Sequence, residues 1–227
     1  MEKYKLIILI PSFNELKGLK KIILKIKKIS DVLVLDDCST DQTSYWLKVN
    51  KIDYIKNKKN LGYTKNILNG MKYTLKNLPK YNYILTMDAD GEHKISNIKK
   101  TINLIKKSQK LSMVVGVRNK KNRYIETILS KLFFYRYGTS DPLSGFKVYQ
   151  RDFLKRFIKK ISNKYFLIDF IYYAIVNKKI INIQNIEVDK RYGPSKIGNI
   201  FISNLKLLVC FKLLFYRRNT RQHKIYR

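Results

Sequence analysis

Thr86-Met87-Asp88-Ala89-Asp90-Gly91-Glu92-His93 closes an apolar run, residues 83–87, on alternating acids. In a turn, an Asp-x-Asp can aim both carboxylates at one point. Hard divalent ions such as Mg2+ and Mn2+ take oxygen ligands of this kind. Glu92 is placed to add a further oxygen, and His93 reads either as a ligand or as a donor behind the ligands. The plainer reading is that these acids form a turn and cap the following helix. The flanking sequence separates the two readings. The run at 4–10 ends in Pro11-Ser12-Phe13-Asn14-Glu15, the run at 32–35 in Asp36-Asp37, and the run at 113–117 in Arg118. Acids gather at the ends of three apolar runs in a chain with only 16 acidic residues. That distribution favours a binding site over turn chemistry alone.

Between these runs the pattern is helical. Leu16, Leu19, Ile22, Ile23 and Ile26 recur on one face with lysines between them. Residues 43–50 predict a short helix and 61–78 a longer one, with Pro79 beyond its end. Ile95, Ile98, Ile102 and Ile105 mark another, with Ser96 as its cap. Residues 53–56 read as a weak strand. The alternation predicts an α/β chain with a parallel, doubly wound sheet. Ligands of such sheets bind beyond the carboxyl ends of the strands, where the acids fall here. Asp37 then either accepts hydrogen bonds from a base or ribose or, with Ser39 and Asp41, caps the next helix. Further on, 141–145 is a turn-rich loop, 145–149 a strand, 166–177 a buried helix, 180–188 a strand and 191–196 a basic loop. No glycine pattern of the dinucleotide or P-loop kind occurs, so a metal is the natural counter-charge for a diphosphate.

A length of 227 residues suits one large domain, or one domain with an appendage. A hydrophobic fraction of 45% excludes wholesale disorder. Lys and Arg number 48 against 16 acids, a net charge of +32, which calls for a polyanionic neighbour. Nucleic acid is set aside as that neighbour. The lysines are spread along the whole chain, no nucleic-acid motif occurs, and strand-end acids would repel phosphate. Cys38 and Cys210 form no CxxC pair, which argues against a zinc site or disulfide framework and fits a reduced compartment. The N-terminal apolar run reads as a buried strand rather than a signal peptide.

Taken in order, these motifs resemble family 2 glycosyltransferases. Pro11-Ser12-Phe13-Asn14-Glu15 is similar to the opening P-x-Y/F-N-E, and Asp36-Asp37-Cys38-Ser39-Thr40-Asp41-Gln42-Thr43 to D-D-x-S-x-D-x-T. Asn60-Leu61-Gly62 with Asn66 and Gly70, Asp88 to His93, and Gly116-Val117-Arg118 continue the match. Asp141-Pro142-Leu143-Ser144-Gly145-Phe146-Lys147 and Arg191-Tyr192-Gly193-Pro194-Ser195-Lys196 resemble the polyprenyl-phosphate sugar synthase branch. The resemblance implies a GT-A fold over residues 1–196, an α/β fold on a doubly wound, mixed, mainly parallel sheet, and inverting transfer from a nucleoside-diphosphate sugar. It implies that Pro11, Phe13, Glu15 and Asp37 hold the nucleoside. Asp88, Ala89 and Asp90 would hold ribose, diphosphate and metal, with Glu92 as a further ligand of Mg2+ or Mn2+. Arg118 would face phosphates of donor or acceptor, and Arg191, Ser195 and Lys196 would close over the diphosphate. The acceptor it favours is a polyprenyl phosphate, which is already ionised. A saccharide hydroxyl would instead need a proton acceptor, for which Asp141 is the first candidate and Asp169 the second. Each also has a bland reading, as a turn residue and a helix cap. Where branch members carry an arginine four residues before a serine, this chain has Glu126 before Ser130.

Residues 197–216 are strongly apolar, but Lys206 and Lys212 interrupt them, so they predict a helix lying on a membrane surface or closing the core. Arg217, Arg218, Arg221, Lys224 and Arg227 follow as a basic tail suited to anionic headgroups. The expected setting is the cytoplasmic face of a membrane, with a membrane protein or a second copy of the chain as further candidate partners.

Overall fold

The computed structural model describes residues 5–108, 110–121, 124–162 and 166–189. Seven strands form one sheet in the order β3-β2-β1-β4-β6-β5-β7. They are β1 (Leu6–Ser12), β2 (Asp31–Asp36), β3 (Tyr54–Lys56), β4 (Tyr83–Thr86), β5 (Met113–Arg118), β6 (Lys147–Gln150) and β7 (Ile181–Ile186). All pairings are parallel except those of β6, which runs antiparallel between β4 and β5. The helices are α1 (Leu16–Lys27), α2 (Thr43–Val49), α3 (Tyr63–Asn77), α4 (Ile95–Lys107), α5 (Tyr124–Tyr137), α6 (Arg151–Phe157) and α7 (Phe166–Val176).

The strands carry apolar side chains on both faces because both faces are covered. Ile7, Leu9, Leu33 and Leu35 pack with Ile67 and Met71 of α3, Phe133 of α5 and Phe170 of α7. Leu6, Ile8, Ile10, Val32 and Val34 pack on the other side with Leu19, Ile22 and Ile23 of α1 and Ile98 and Ile105 of α4. Odd and even residues of β1 thus feed different cores, the period of two that a strand imposes.

Three details differ from the sequence expectation. Ser96 lies inside the first turn of α4, and Lys94 holds the cap position without a side-chain cap bond. Helices α5 and α6 were not anticipated. Buried Leu129, Phe133 and Tyr137 lie four residues apart on α5, but Leu132, Phe134 and Tyr135 are exposed between them, which blurs the apolar stripe. Helix α6 has 7 residues and follows β6 at once, Gln150 to Arg151, with no turn residues to separate them. The expected 197–227 segment lies outside the described residues.

Candidate active site

The motifs after β1 and β2 are laced together. Asn14, at a φ of 53°, accepts at its Oδ1 from the backbone N–H groups of Thr40 and Asp41, at 2.8 and 3.2 Å. Its own N–H donates to Ser39 Oγ at 3.0 Å. Asp36 is fully buried and accepts from the Ser39 N–H at 2.9 Å and from the Ser44 hydroxyl. Asp41 Oδ1 accepts from the Thr43 N–H at 3.0 Å at the start of α2, and its Oδ2 from the Leu16 N–H at 3.3 Å at the start of α1. Pro11 is buried at the end of β1, while Phe13 and Glu15 are half-buried at its edge.

Asp37 caps neither α2 nor α3, whose cap positions carry no side-chain cap bond. Its carboxylate accepts from the N–H groups of Leu61 and Gly62 and from Asn57 Nδ2, each at 2.8 Å. It therefore shapes the turn that leads into α3. That turn delivers Tyr63, whose hydroxyl donates to Asp88 Oδ1 at 3.0 Å. Neither link is legible from local periodicity.

At the end of β4, Asp88 is half-buried and Ala89, Asp90, Glu92 and His93 are buried. Two glycines make room for this turn. A Cβ on Gly145 would stand 2.5 Å from both Asp88 carboxylate oxygens, and one on Gly18 of α1 would stand 2.1 Å from the Ala89 carbonyl oxygen. Asp90 Oδ1 accepts from the Glu92 N–H at 3.1 Å. His93 Nε2 lies 3.8 Å from Asp88 Oδ2, and neither ring nitrogen has a hydrogen-bond partner among the described residues. The Glu92 carbonyl accepts from the Asp189 N–H at 2.8 Å, and His93 bridges Val188, so the chain leaving β7 is sewn onto this turn.

Among the described residues, no group of three or more His, Cys, Asp or Glu side chains is gathered to hold a metal ion. The expected set of Asp88, Asp90 and Glu92 is therefore not assembled. Asp88 is tied to Tyr63 and Asp90 folds back onto the Glu92 backbone, while Glu92 is buried. The donor chemistry still fits Mg2+ or Mn2+. Asp88 and Asp90 offer hard carboxylate oxygens on one turn, and Gly145 keeps the space that the Asp88 carboxylate occupies.

Arg118, at the end of β5, is turned onto acids. Its Nε and Nη2 donate to Asp141 Oδ2 and Oδ1, both at 2.8 Å, and Nη2 also donates to Glu126 Oε2 at 3.1 Å. The Arg118 N–H adds a bond to Asp141 Oδ2 at 3.0 Å. Asp141, at a φ of 54°, donates its own N–H to Ser130 Oγ at 3.2 Å. Burial pushes the Asp141 carboxyl up, but the hydrogen bonds and charge of Arg118 prevail and hold it below the usual carboxylate value. Burial opposes the charged guanidinium too, and Asp141 and Glu126 hold it above its usual value. The loop is closed by Lys147, fully buried, whose Nζ donates to the carbonyls of Pro142, at 2.9 Å, and Ser144. Burial pulls the Lys147 ammonium down to about 7, against the nearby Asp141 carboxylate.

Two expectations change on this geometry. Arg118 meets Asp141 and Glu126 rather than open space for a phosphate. Asp141 is a buried ion-pair partner, so its role as proton acceptor meets a carboxylate already engaged. Asp169 is buried on α7 and accepts from the Ser162 N–H at 2.8 Å. Arg191, Ser195 and Lys196 lie outside the described residues.

A mixed, mainly parallel sheet with its acids collected at the strand ends is the architecture of a GT-A-like fold. The family model described as "Glycosyl transferase family 2" matches residues 7–158, and the chain belongs to that family: it is a glycosyltransferase. Uncharacterized protein MJ0544 of Methanocaldococcus jannaschii is 32% identical over 174 residues, 66% of this chain and 73% of that one. MJ1222 of the same organism, also uncharacterized, is 24% identical over 233 residues, 96% and 94% of the two chains. The fold is shared with glucosyl-3-phosphoglycerate synthase from Mycobacterium tuberculosis in complex with Mn2+, UDP and glucosyl-3-phosphoglycerate. That match has a TM-score of 0.72 at 12% identity over 94% of this chain and 80% of the other. The same synthase with Mg2+ and UDP matches at a TM-score of 0.69 and 14% identity, over 92% and 79%.

Proposed function

We propose that the protein moves a sugar, with inversion, from a nucleoside-diphosphate sugar to an acceptor at the carboxyl ends of β1, β2 and β4. The observation that carries this reading is the Asp88–Asp90 turn, kept open by Gly18 and Gly145 and laced to the motifs after β1 and β2. Pro11, Phe13, Glu15 and Asp37 border the nucleoside. Asp88 and Asp90 hold Mg2+ or Mn2+, and Ala89 lies beside the diphosphate. By the resemblance of their motif, Arg191, Ser195 and Lys196 close over the diphosphate. The metal supplies positive charge to the departing diphosphate. Solved neighbours of this fold carry UDP with Mn2+ or Mg2+, which supports the donor class.

The resemblance of 141–147 and 191–196 to the synthase branch supports a polyprenyl phosphate as acceptor. Transfer to a saccharide hydroxyl is the second reading, and the engagement of Arg118 by two carboxylates favours it. The test is a panel of nucleotide sugars with Mn2+ or Mg2+, with lipid phosphates or saccharides, read as nucleoside diphosphate release. Asp90→Ala is expected to weaken metal-dependent UDP or GDP binding by at least about tenfold, the loss seen when a metal's ligand shell is disturbed. Equal binding by mutant and wild type, with and without metal, would remove the site assignment.

No helix among the described residues is long and apolar enough to cross a membrane. We place the protein at the cytoplasmic membrane face through the basic tail. High salt is then expected to release it from anionic vesicles, since screening cuts such attraction to about 8 Å at physiological ionic strength. Equal retention on neutral vesicles would argue against that placement.

A further inference from the structure

The Asp88 carboxylate stands between two side chains. Tyr63 donates its hydroxyl to Oδ1 at 3.0 Å, while His93 Nε2 faces Oδ2 at 3.8 Å, beyond hydrogen-bond reach. The phenol is well placed to fix the rotation of that carboxylate, because the backbone beneath it is itself fixed. Tyr63 opens α3 directly after Gly62, whose φ of 81° lies in the left-handed region that glycine adopts without steric cost. The Gly62 N–H donates to Asp37 at 2.8 Å. One turn into α3, the buried Asn66 donates to the Leu35 carbonyl at 2.7 Å and accepts from Asn57 Nδ2 at 2.9 Å. The start of α3 is thus pinned to the end of β2 at two points. Strand β1 lies between β2 and β4, so one side chain joins a segment anchored on β2 to the turn after β4, two strands away.

The fold does not need this bond. Tyr63 is 40% exposed, so water could satisfy its hydroxyl as well as Asp88 does. Nor does the bond exhaust the carboxylate. An ionised carboxylate accepts at about four positions, and one donor at Oδ1 leaves Oδ2 for a cation. Carboxylates that ligate metals are commonly held in this way by a hydrogen bond from a neighbouring group, which fixes their orientation. We propose that Tyr63 is a positioning residue, whose hydroxyl presets the Asp88 carboxylate for the divalent ion. The proposal rests on the reading of the site as a metal-dependent nucleotide-sugar site. Residue 63 falls between Gly62 and Asn66 and is not one of the positions that carry the family resemblance.

The experiment measures Mn2+ binding to the full chain by electron paramagnetic resonance of the free ion, with and without UDP. It compares wild type, Tyr63→Phe and Tyr63→Leu, with melting curves as a folding control and calorimetry for metal-free UDP binding. Tyr63→Phe removes only the hydroxyl, and Tyr63→Leu removes the ring as well. Both are expected to bind Mn2+ about tenfold more weakly than wild type, the lower end of the loss when a group that orients a metal ligand is removed. Melting curves and metal-free UDP affinity are expected to stay at wild type, which a general disturbance of the α3 turn would not allow. Wild-type Mn2+ affinity in Tyr63→Phe overturns the proposal and leaves the metal-site reading standing. Tighter Mn2+ binding in Tyr63→Phe also overturns it, since the hydroxyl would then compete with the ion. An equal loss of metal-free UDP binding overturns it as well, by showing that the turn as a whole has moved. A wild type that takes up no Mn2+, with or without UDP, removes the metal-site reading and this role of Tyr63 together.

Discussion

Gly18→Ala is expected to lower both stability and metal-dependent nucleotide binding, although residue 18 touches no ligand. Alanine is the better helix former, so helix propensity alone would make the change favourable. The tertiary contact decides the opposite. The new Cβ would stand 2.1 Å from the Ala89 carbonyl oxygen and 3.0 Å from the Asp90 backbone. These are backbone atoms of the turn that aims Asp88 and Asp90, so no side-chain rotation relieves the clash. Either α1 or the turn must retreat by roughly 1 Å, a displacement that can cost about a hundredfold at a reacting centre. Overpacking of this kind costs about 1–3 kcal/mol, and a backbone obstacle places it at the upper end. Urea unfolding together with calorimetric titration of UDP and Mn2+ would show both losses. An unchanged nucleotide affinity would mean that the turn does not carry the site.

Asp141→Asn is expected to destabilise the fold by about 3 kcal/mol, the lower end of the cost of breaking a buried ion pair from one side. Asparagine tolerates the positive φ of 54° at this position, so the substitution isolates the charge from the backbone. Arg118 keeps Glu126 as a partner, which is why the loss falls at the lower end. The double variant Asp141→Asn, Glu126→Gln should cost more than the sum of the singles, because it leaves the buried guanidinium without either carboxylate. Acid should act in the same direction as the single variant. The folded carboxyl of Asp141 lies below its unfolded value, so the unfolded chain binds more protons between the two. Its contribution is complete above the unfolded value of about 3.9 and is lost as pH falls through the folded value. Wild type and Asp141→Asn should therefore converge in stability at low pH. Parallel curves across that range would show that the pair with Arg118 contributes nothing.

Much of the fold was legible in the residues. The runs ending at Ser12, Asp36, Thr86 and Arg118 are the four strands on which the site is built. Apolar spacing located α1, α3 and α4, because each buries one face against a sheet covered on both sides. Helices α5 and α6 carry no such signal, one having a blurred stripe and the other running on directly from β6.

The side-chain partners were a different matter. The sequence by itself determined which residues stand at strand ends, since strand ends follow from where apolar runs meet turn-forming residues, and it supplied the motifs that define the family. Only the tertiary structure decided what those residues touch. Strand β6 runs antiparallel between β4 and β5, pairing Lys147 with both Thr86 and Val115. That register sets Gly145 against Asp88 and Asp141 against Arg118. Asp37 and Tyr63 are joined to distant segments in the same way. Local periodicity reports only whether a side chain faces inward or outward. The partner that a buried charge finds depends on strand order and register, which are set by long-range pairing across the whole sheet.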